Sequence, residues 1–343
     1  MMNFMPQDAF SARYETYRQA VETYLDGLFT RKTPWSDLYE SMRYSLLSGG
    51  KRIRPVLTLE FARLGGLEWS SALPLGCALE LVHTFSLIHD DLPCMDNDDW
   101  RRGKPSNHKK YGETLAVLAG DALQTEAFRL ILTAPGISTA ARTECGRILA
   151  QSAGADGMGA GQVLDTLHAP RTYDELLQVH RLKTGAMIAG ACELGAAAAM
   201  PDAAGEMIRK ISSESDHIST VPDVSVSPEH SHVSPEHLPN AAETGNISLE
   251  HLRNAAETYG YALGMAFQIR DDALDVTADA EELGKPVGSD RENGKITFVD
   301  LFGVDGCARM VQDFTRQAVA AVEAYDKSGF LRQLAWNLAE RNS

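Results

Sequence analysis

Along "LPLGCALELVHTFSLIHDD" (73–91), Leu75, Leu79, Val82 and Ser86 fall on one stripe of a 3.6-residue repeat, and Leu81 and Ile88 fill neighbouring faces. Three further long segments are rich in Ala and Leu: "ETLAVLAGDALQTEAFRLIL", "DELLQVHRLKTGAMIAGACELGAAAAM" and "AAETYGYALGMAFQIRDDALDV". Several are apolar on most faces, which suits the centre of a large bundle. Alternating β-branched runs bounded by turns are nearly absent. The pattern therefore predicts an all-α fold, a large single-domain helical bundle spanning 1–343.

One region breaks the pattern. From about 211 to 248 the chain is rich in Ser, Pro, His and Glu. Within it "SPEHLPNAAET" (234–244) returns fourteen residues later as "SLEHLRNAAET" (248–258), as if a helix start had been duplicated. Its composition predicts a flexible surface insertion. The histidines His217, His230, His232, His237 and His251 read as solvated filler rather than a metal site.

The chain has 343 residues and a net charge of -15. That charge argues against nucleic acid or an anionic membrane surface as partner. Cys77, Cys94, Cys145, Cys192 and Cys307 are scattered with no CxxC pair, so they read as reduced thiols of a cytoplasmic protein. The start carries no pattern of a secretory signal, and no run of about 18 apolar residues predicts insertion in a membrane.

Chemistry enters with the carboxylates. Asp90, Asp91, Asp96, Asp98 and Asp99 fall within ten consecutive positions, with Arg101 and Arg102 just after. Like charges at that density repel unless water, the arginines or bound metal neutralise them. On a straight helix Asp90 and Asp96 would diverge by about 120°, but Pro93 disturbs the helix, and a local excursion can return Asp96 to Asp90. A calcium loop is excluded, because Arg101 stands where its Gly belongs and Asn107 where its Glu belongs. A second group, Asp271, Asp272 and Asp275, lies among Phe267, Ile269, Leu274 and Val276. Asp271 and Asp275 share one helix face, one turn apart. Short carboxylates without His or Cys favour Mg²⁺, which bridges few protein oxygens to substrate phosphates.

Cations complete the set. "SGGKRIRP" brings Lys51 and Arg54 after two glycines that permit close approach of a ligand to backbone. His83 precedes Asp90 by two helical turns, and Arg101, Arg102, Lys183 and Lys285 add further charge. With two acidic clusters they suggest two anion-binding places, one reached through metal and one held directly by Lys and Arg.

The motifs "GGKRIRP", "LVHTFSLIHDDLPCMDNDDWRRGKP", "LAGDALQTEAF", "GQVLD", "KTGAMI", "FQIRDDALDV" and "LGKPVGSD" occur in one order from about Tyr39 to Phe302. In them the chain resembles the trans-isoprenyl diphosphate synthases, most closely the bacterial farnesyl diphosphate synthases. The resemblance implies an isoprenoid synthase fold around a deep central cavity, usually a homodimer, that condenses isopentenyl diphosphate with dimethylallyl and geranyl diphosphate. It further implies that Asp90, Asp96 and Asp271 bind three Mg²⁺, with Asp91, Asp272 and Asp275 supporting through water. Arg101, Lys183 and Lys285 would hold the allylic diphosphate, and Lys51, Arg54, His83 and Arg102 isopentenyl diphosphate. Thr184, the Lys183 carbonyl and Gln268 would face the carbocation. Phe85, with Pro93 and Cys94, would floor the pocket at fifteen carbons, while small Ser86 would not block the chain. Asn97 departs from the Asp that many relatives carry.

Other readings are a geranyl or geranylgeranyl diphosphate synthase, a non-catalytic synthase subunit, a terpene cyclase or a metal-buffering helical protein. The cyclase has no need of "GGKRIRP" and His83. A non-catalytic subunit is expected to lose an Asp motif or a basic ligand, and a metal buffer leaves the basic residues without purpose.

Overall fold

The computed structural model describes residues 4–202, 248–277 and 296–341, and these are almost entirely helical. In chain order the helices are α1 (Gln7–Asp26), α2 (Ser36–Leu46), α3 (Ile53–Leu64), α4 (Leu73–Asp90), α5 (Asn107–Tyr111), α6 (Glu113–Leu132), α7 (Thr139–Ala153), α8 (Met158–Leu167), α9 (Tyr173–His180), α10 (Ala186–Ala198), α11 (Leu249–Thr277), α12 (Phe298–Val322) and α13 (Phe330–Glu340). A 3₁₀ turn (Trp69–Ala72) leads into α4, and a π-helical turn (Arg181–Gly185) joins α9 to α10. A short antiparallel hairpin follows α4, with Trp100 opposite Pro105 and Arg101 opposite Lys104. The all-α expectation holds. The expected insertion, apart from Ser248 just before α11, lies outside the described residues.

The central helices are those whose sequences are apolar on most faces. α10 packs against α3, α7 and α11, and nearly all of its residues are buried. α4 packs between α3 and α6. With the turn before it (Trp69–Asp90) it is long and apolar enough to cross a bilayer, a property the sequence reading missed. Its Leu75, Leu79, Leu81 and Val82 are buried in the bundle, each contributing about 1.5–3 kcal/mol, so this apolarity serves the core. A smaller apolar cluster of Leu176, Met265, Ile269, Phe298 and Val311 lies where α11 crosses α12.

Helix starts follow side-chain chemistry. Thr172 caps α9 with Glu175, and Thr297 caps α12 with Asp300, both as reciprocal capping boxes. The start of α3 is fixed differently, by Arg52 in left-handed backbone (φ 51°). Its guanidinium is buried, donating to Glu80 of α4 at 2.6 Å, to Glu22 of α1 at 2.9 Å and to the Leu46 carbonyl of α2 at 2.8 Å. One side chain thus ties four helices together beside "GGKRIRP". Arg52→Met should strand the buried Glu80 carboxylate and cost about 3–5 kcal/mol in denaturant unfolding. Adding Glu80→Leu should recover most of that loss; no recovery would refute the pairing as its cause.

Candidate active site

α4 ends at Asp90, and the excursion expected after Pro93 follows. The Asp96 amide donates to the Asp90 carbonyl at 2.9 Å, and the Asn97 amide to the Leu92 carbonyl at 3.1 Å. Asn97 sits at φ 54°, a left-handed position that Asn tolerates better than most residues, which gives its presence there a backbone reason. Asp96 is exposed and Asp90 half-buried. Burial pushes the Asp90 carboxyl up to about 6, with Asp96 and Asp91 pushing the same way and Lys183 and Arg101 opposing.

Asp91 points elsewhere. It is buried and grips the guanidinium of Arg101, with Nε 3.0 Å from Oδ1. Arg101 also reaches Asp98 at 3.3 Å, and Asp99 pairs with Lys109 at 2.7 Å. Arg102, next along the hairpin at φ 52°, turns the opposite way and donates to the Gly49 carbonyl and to Ser48 Oγ. Its guanidinium fills the space against Gly50, where a Cβ would lie 3.1 Å from Nη2. Gly50 thus admits an arginine of this chain, while a Cβ on Gly49 would meet nothing within 4 Å. Arg54 and Arg102 flank His83, and burial with these charges holds the imidazole well below its usual range, so it is neutral at pH 7.

The π-helical turn is the meeting point of the site. Lys183 donates to Asp165 of α8 at 2.6 Å and lies close enough to Asp90 to oppose its raised pKa. Thr184 donates to Gln268 Oε1 at 3.1 Å, and Gln268 Nε2 donates to Asp272 Oδ1 at 3.1 Å. Both aspartate motifs thus connect through one turn. Gly161 makes this possible, since a Cβ there would fall 2.2 Å from the Lys183 backbone nitrogen. A π turn within helical sequence often marks a functional site.

In the second motif Asp272 is buried, and its Oδ2 accepts the Phe298 amide at the start of α12, 3.1 Å away. Asp271 contacts the guanidinium of Arg341, just past α13. Lys51 feels both these charges, and burial moves its ammonium pKa down. Lys51 counts Arg341 and Asp271 among its charged neighbours, and His83 counts Arg54 and Arg102. Asp275 is 7% exposed, and its Oδ1 finds no hydrogen-bond partner among the described residues. An orphaned buried carboxylate oxygen favours a cation. Asp90, Asp96, Asp271 and Asp275 are all oxygen donors, the chemistry that suits Mg²⁺. Among the described residues no three metal-ligating side chains form a group that could hold one ion.

Phe85, half-buried on α4, meets His89 edge-on at 5.0 Å, and His89 is braced against the Val117 carbonyl of α6 at 3.1 Å. Ser86 Oγ donates to the His83 carbonyl at 2.9 Å. Lys285 lies outside the described residues. Two charged residues of the site were not singled out from the sequence. Asp165 had a signal, a lone carboxylate in the apolar motif "GQVLD", whereas Arg341 in "LAERNS" reads as any surface arginine.

A profile of the polyprenyl synthetase family matches residues 36–218 and 240–327, so the break in the match falls within the expected insertion. The farnesyl diphosphate synthase of Geobacillus stearothermophilus is 39% identical over 293 residues, covering 84% of this chain and 83% of that one. The chloroplastic geranylgeranyl pyrophosphate synthase of Catharanthus roseus is 37% identical over 312 residues, covering 89% of this chain and 74% of that one. In three dimensions the chain is similar to the geranyltransferase of Helicobacter pylori, solved in complex with magnesium and isoprenyl diphosphate. The TM-score is 0.68 at 27% identity, over 95% of this chain and 96% of that one.

The Asp90 carboxyl has a pH consequence. Its usual value is 3.8 and its folded value about 6, so the unfolded chain releases the proton first. Its effect is favourable to the fold at low pH and is lost as pH rises through about 6, leaving a charge that opposes folding at neutrality. Asp90→Asn should therefore raise the melting temperature of the metal-free protein at pH 7.5 by about 2–5 °C. That gain should shrink at pH 4.5; an equal gain at both pH values would refute it.

Proposed function

The chain belongs to the polyprenyl synthetase family and is a prenyltransferase, and on that premise we propose that it joins isopentenyl diphosphate first to dimethylallyl and then to geranyl diphosphate, making farnesyl diphosphate. The observation that carries this reading is the Lys183–Thr184 turn, where the Lys183 charge acts on Asp90 and Thr184 reaches Asp272 through Gln268. Such an arrangement suits one pyrophosphate shared between two acidic clusters.

Under this proposal Asp90, Asp96 and Asp271, with Asp275 beside them, hold Mg²⁺, three ions per site. The metal supplies positive charge to meet what develops on the leaving diphosphate. Arg101, fixed by Asp91, and Lys183, fixed by Asp165, hold the allylic diphosphate together with Lys285. Arg54, His83 and Arg102 bind isopentenyl diphosphate, with Lys51 at the boundary of the two sites. Neutral His83 contributes a hydrogen bond rather than charge. Thr184 and Gln268 present weak dipoles to the carbocation without offering a nucleophile. Asp91 and Asp272 act chiefly by positioning Arg101 and Gln268. The proposed assembly is a homodimer, supported by Val117, Leu118 and Leu132, which α6 leaves exposed. The proposed compartment is the cytoplasm, supported by five unpaired thiols. The proposed domain is single, with 211–248 as a surface insertion.

Incubation with labelled isopentenyl diphosphate and dimethylallyl diphosphate should yield a fifteen-carbon product that disappears when EDTA removes the metal. Lack of condensation in Mg²⁺ would favour a non-catalytic subunit, and a twenty-carbon product would favour a geranylgeranyl synthase. Phe85→Ala should lengthen the product to twenty carbons or more by chromatography. Unchanged length would remove Phe85 as the pocket floor.

A further inference from the structure

Arg341 is held where a residue of ordinary surface sequence would not be expected. Its carbonyl accepts from Arg270 Nε at 3.0 Å and Nη2 at 2.6 Å, which clamps the backbone just past α13. Its guanidinium lies 3.9 Å from the Phe267 ring centroid and donates to the Phe267 carbonyl at 3.4 Å. Phe267, Arg270 and Asp271 are spaced so that one face of α11 grips it, and Nη2 ends on Asp271 Oδ1. The Arg341 side chain is 11% exposed. Its Nε has no hydrogen-bond partner among the described residues.

A guanidinium and a divalent ion drawn to the same carboxylate oxygen repel each other and so compete for it. We propose that Arg341 is a displaceable counter-cation for Asp271, so that a divalent ion binds at the second aspartate motif only as this arginine withdraws. The inference rests on the proposed role of Asp271 as a metal ligand. In the metal-free protein the guanidinium relieves the carboxylate charge on α11. It also lowers the affinity of that carboxylate for free metal, because the ion must compete with a charge-assisted contact whose guanidinium is largely buried. Phe267 and the Arg270 clamp stay in place during this exchange, so Arg341 has a seat to which it returns. Entry of metal at Asp271 is thereby made to depend on a ligand that brings enough negative charge to outcompete the arginine, as a diphosphate does. Lys51 feels the charge of Arg341 and so reports the exchange on the neighbouring anion site.

The test is direct binding of Mn²⁺ to the full-length, metal-free protein without any diphosphate, read by the electron paramagnetic resonance signal of free Mn²⁺. Arg341→Gln should tighten one class of sites by about 5-fold or more, and Arg341→Lys should fall between it and the wild type. Melting temperature without metal should fall in Arg341→Gln while its affinity for Mn²⁺ rises, a pairing that a purely structural role does not produce. Asp271→Asn should abolish the tightened class in the Arg341→Gln background. An unchanged or weaker isotherm in Arg341→Gln, with binding still sensitive to Asp271→Asn, would overturn the counter-cation role and leave the metal reading standing. Binding indifferent to Asp271→Asn would overturn both.

Discussion

Repulsion among carboxylates crowded at the ends of two helices is the constraint to which the rest of this molecule responds. Left alone, those charges would destabilise the ends of α4 and α11. Most of them are instead assigned a counter-charge or a donor: Arg101 for Asp91, Lys109 for Asp99, Arg341 for Asp271, and Gln268 with the Phe298 amide for Asp272. Asp90 is left partly uncompensated, and its raised pKa expresses that residue of strain. An acidic centre prepared in this way is costly when empty and suited to receive cations.

The packing behind the site is built to hold charged groups still rather than to contact substrate. Arg52 joins α1, α2 and α4 at the start of α3. Asp165 seats Lys183, and Gly161 lets α8 lie against that lysine's backbone. Arg52 and Lys183 are thus each positioned by carboxylates on other helices, which limits the rotamers they explore. Neutral His83 between two guanidiniums follows the same logic, because a third positive charge there would oppose them.

The helical fold was legible because apolar periodicity ran long and strand patterns were absent, and α10 and α11 appear where their motifs predicted. The return of Asp96 to Asp90 was legible from Pro93, since proline chemistry acts locally. What sequence concealed depends on distant pairing. Asp91 and Asp272 stand beside residues expected to bind metal, yet their oxygens serve Arg101, Gln268 and the α12 amide. Arg52 stands between Lys51 and Arg54 yet is buried against Glu22, Glu80 and the Leu46 carbonyl, partners that lie on three other helices. Arg341 could not be found at all, because its meaning arises only where α13 meets α11.

Arg101 and Arg102 are adjacent in the hairpin, yet one faces Asp91 and the other reaches back to Gly49. Left-handed backbone at Arg102 sets that divergence. Two guanidiniums on one peptide unit are thus hinged like the arms of a balance, so a tilt of the hairpin that advances one must carry the other with it. Under the proposed assignment, the two arginines that meet different diphosphates share one peptide bond and so move as a pair.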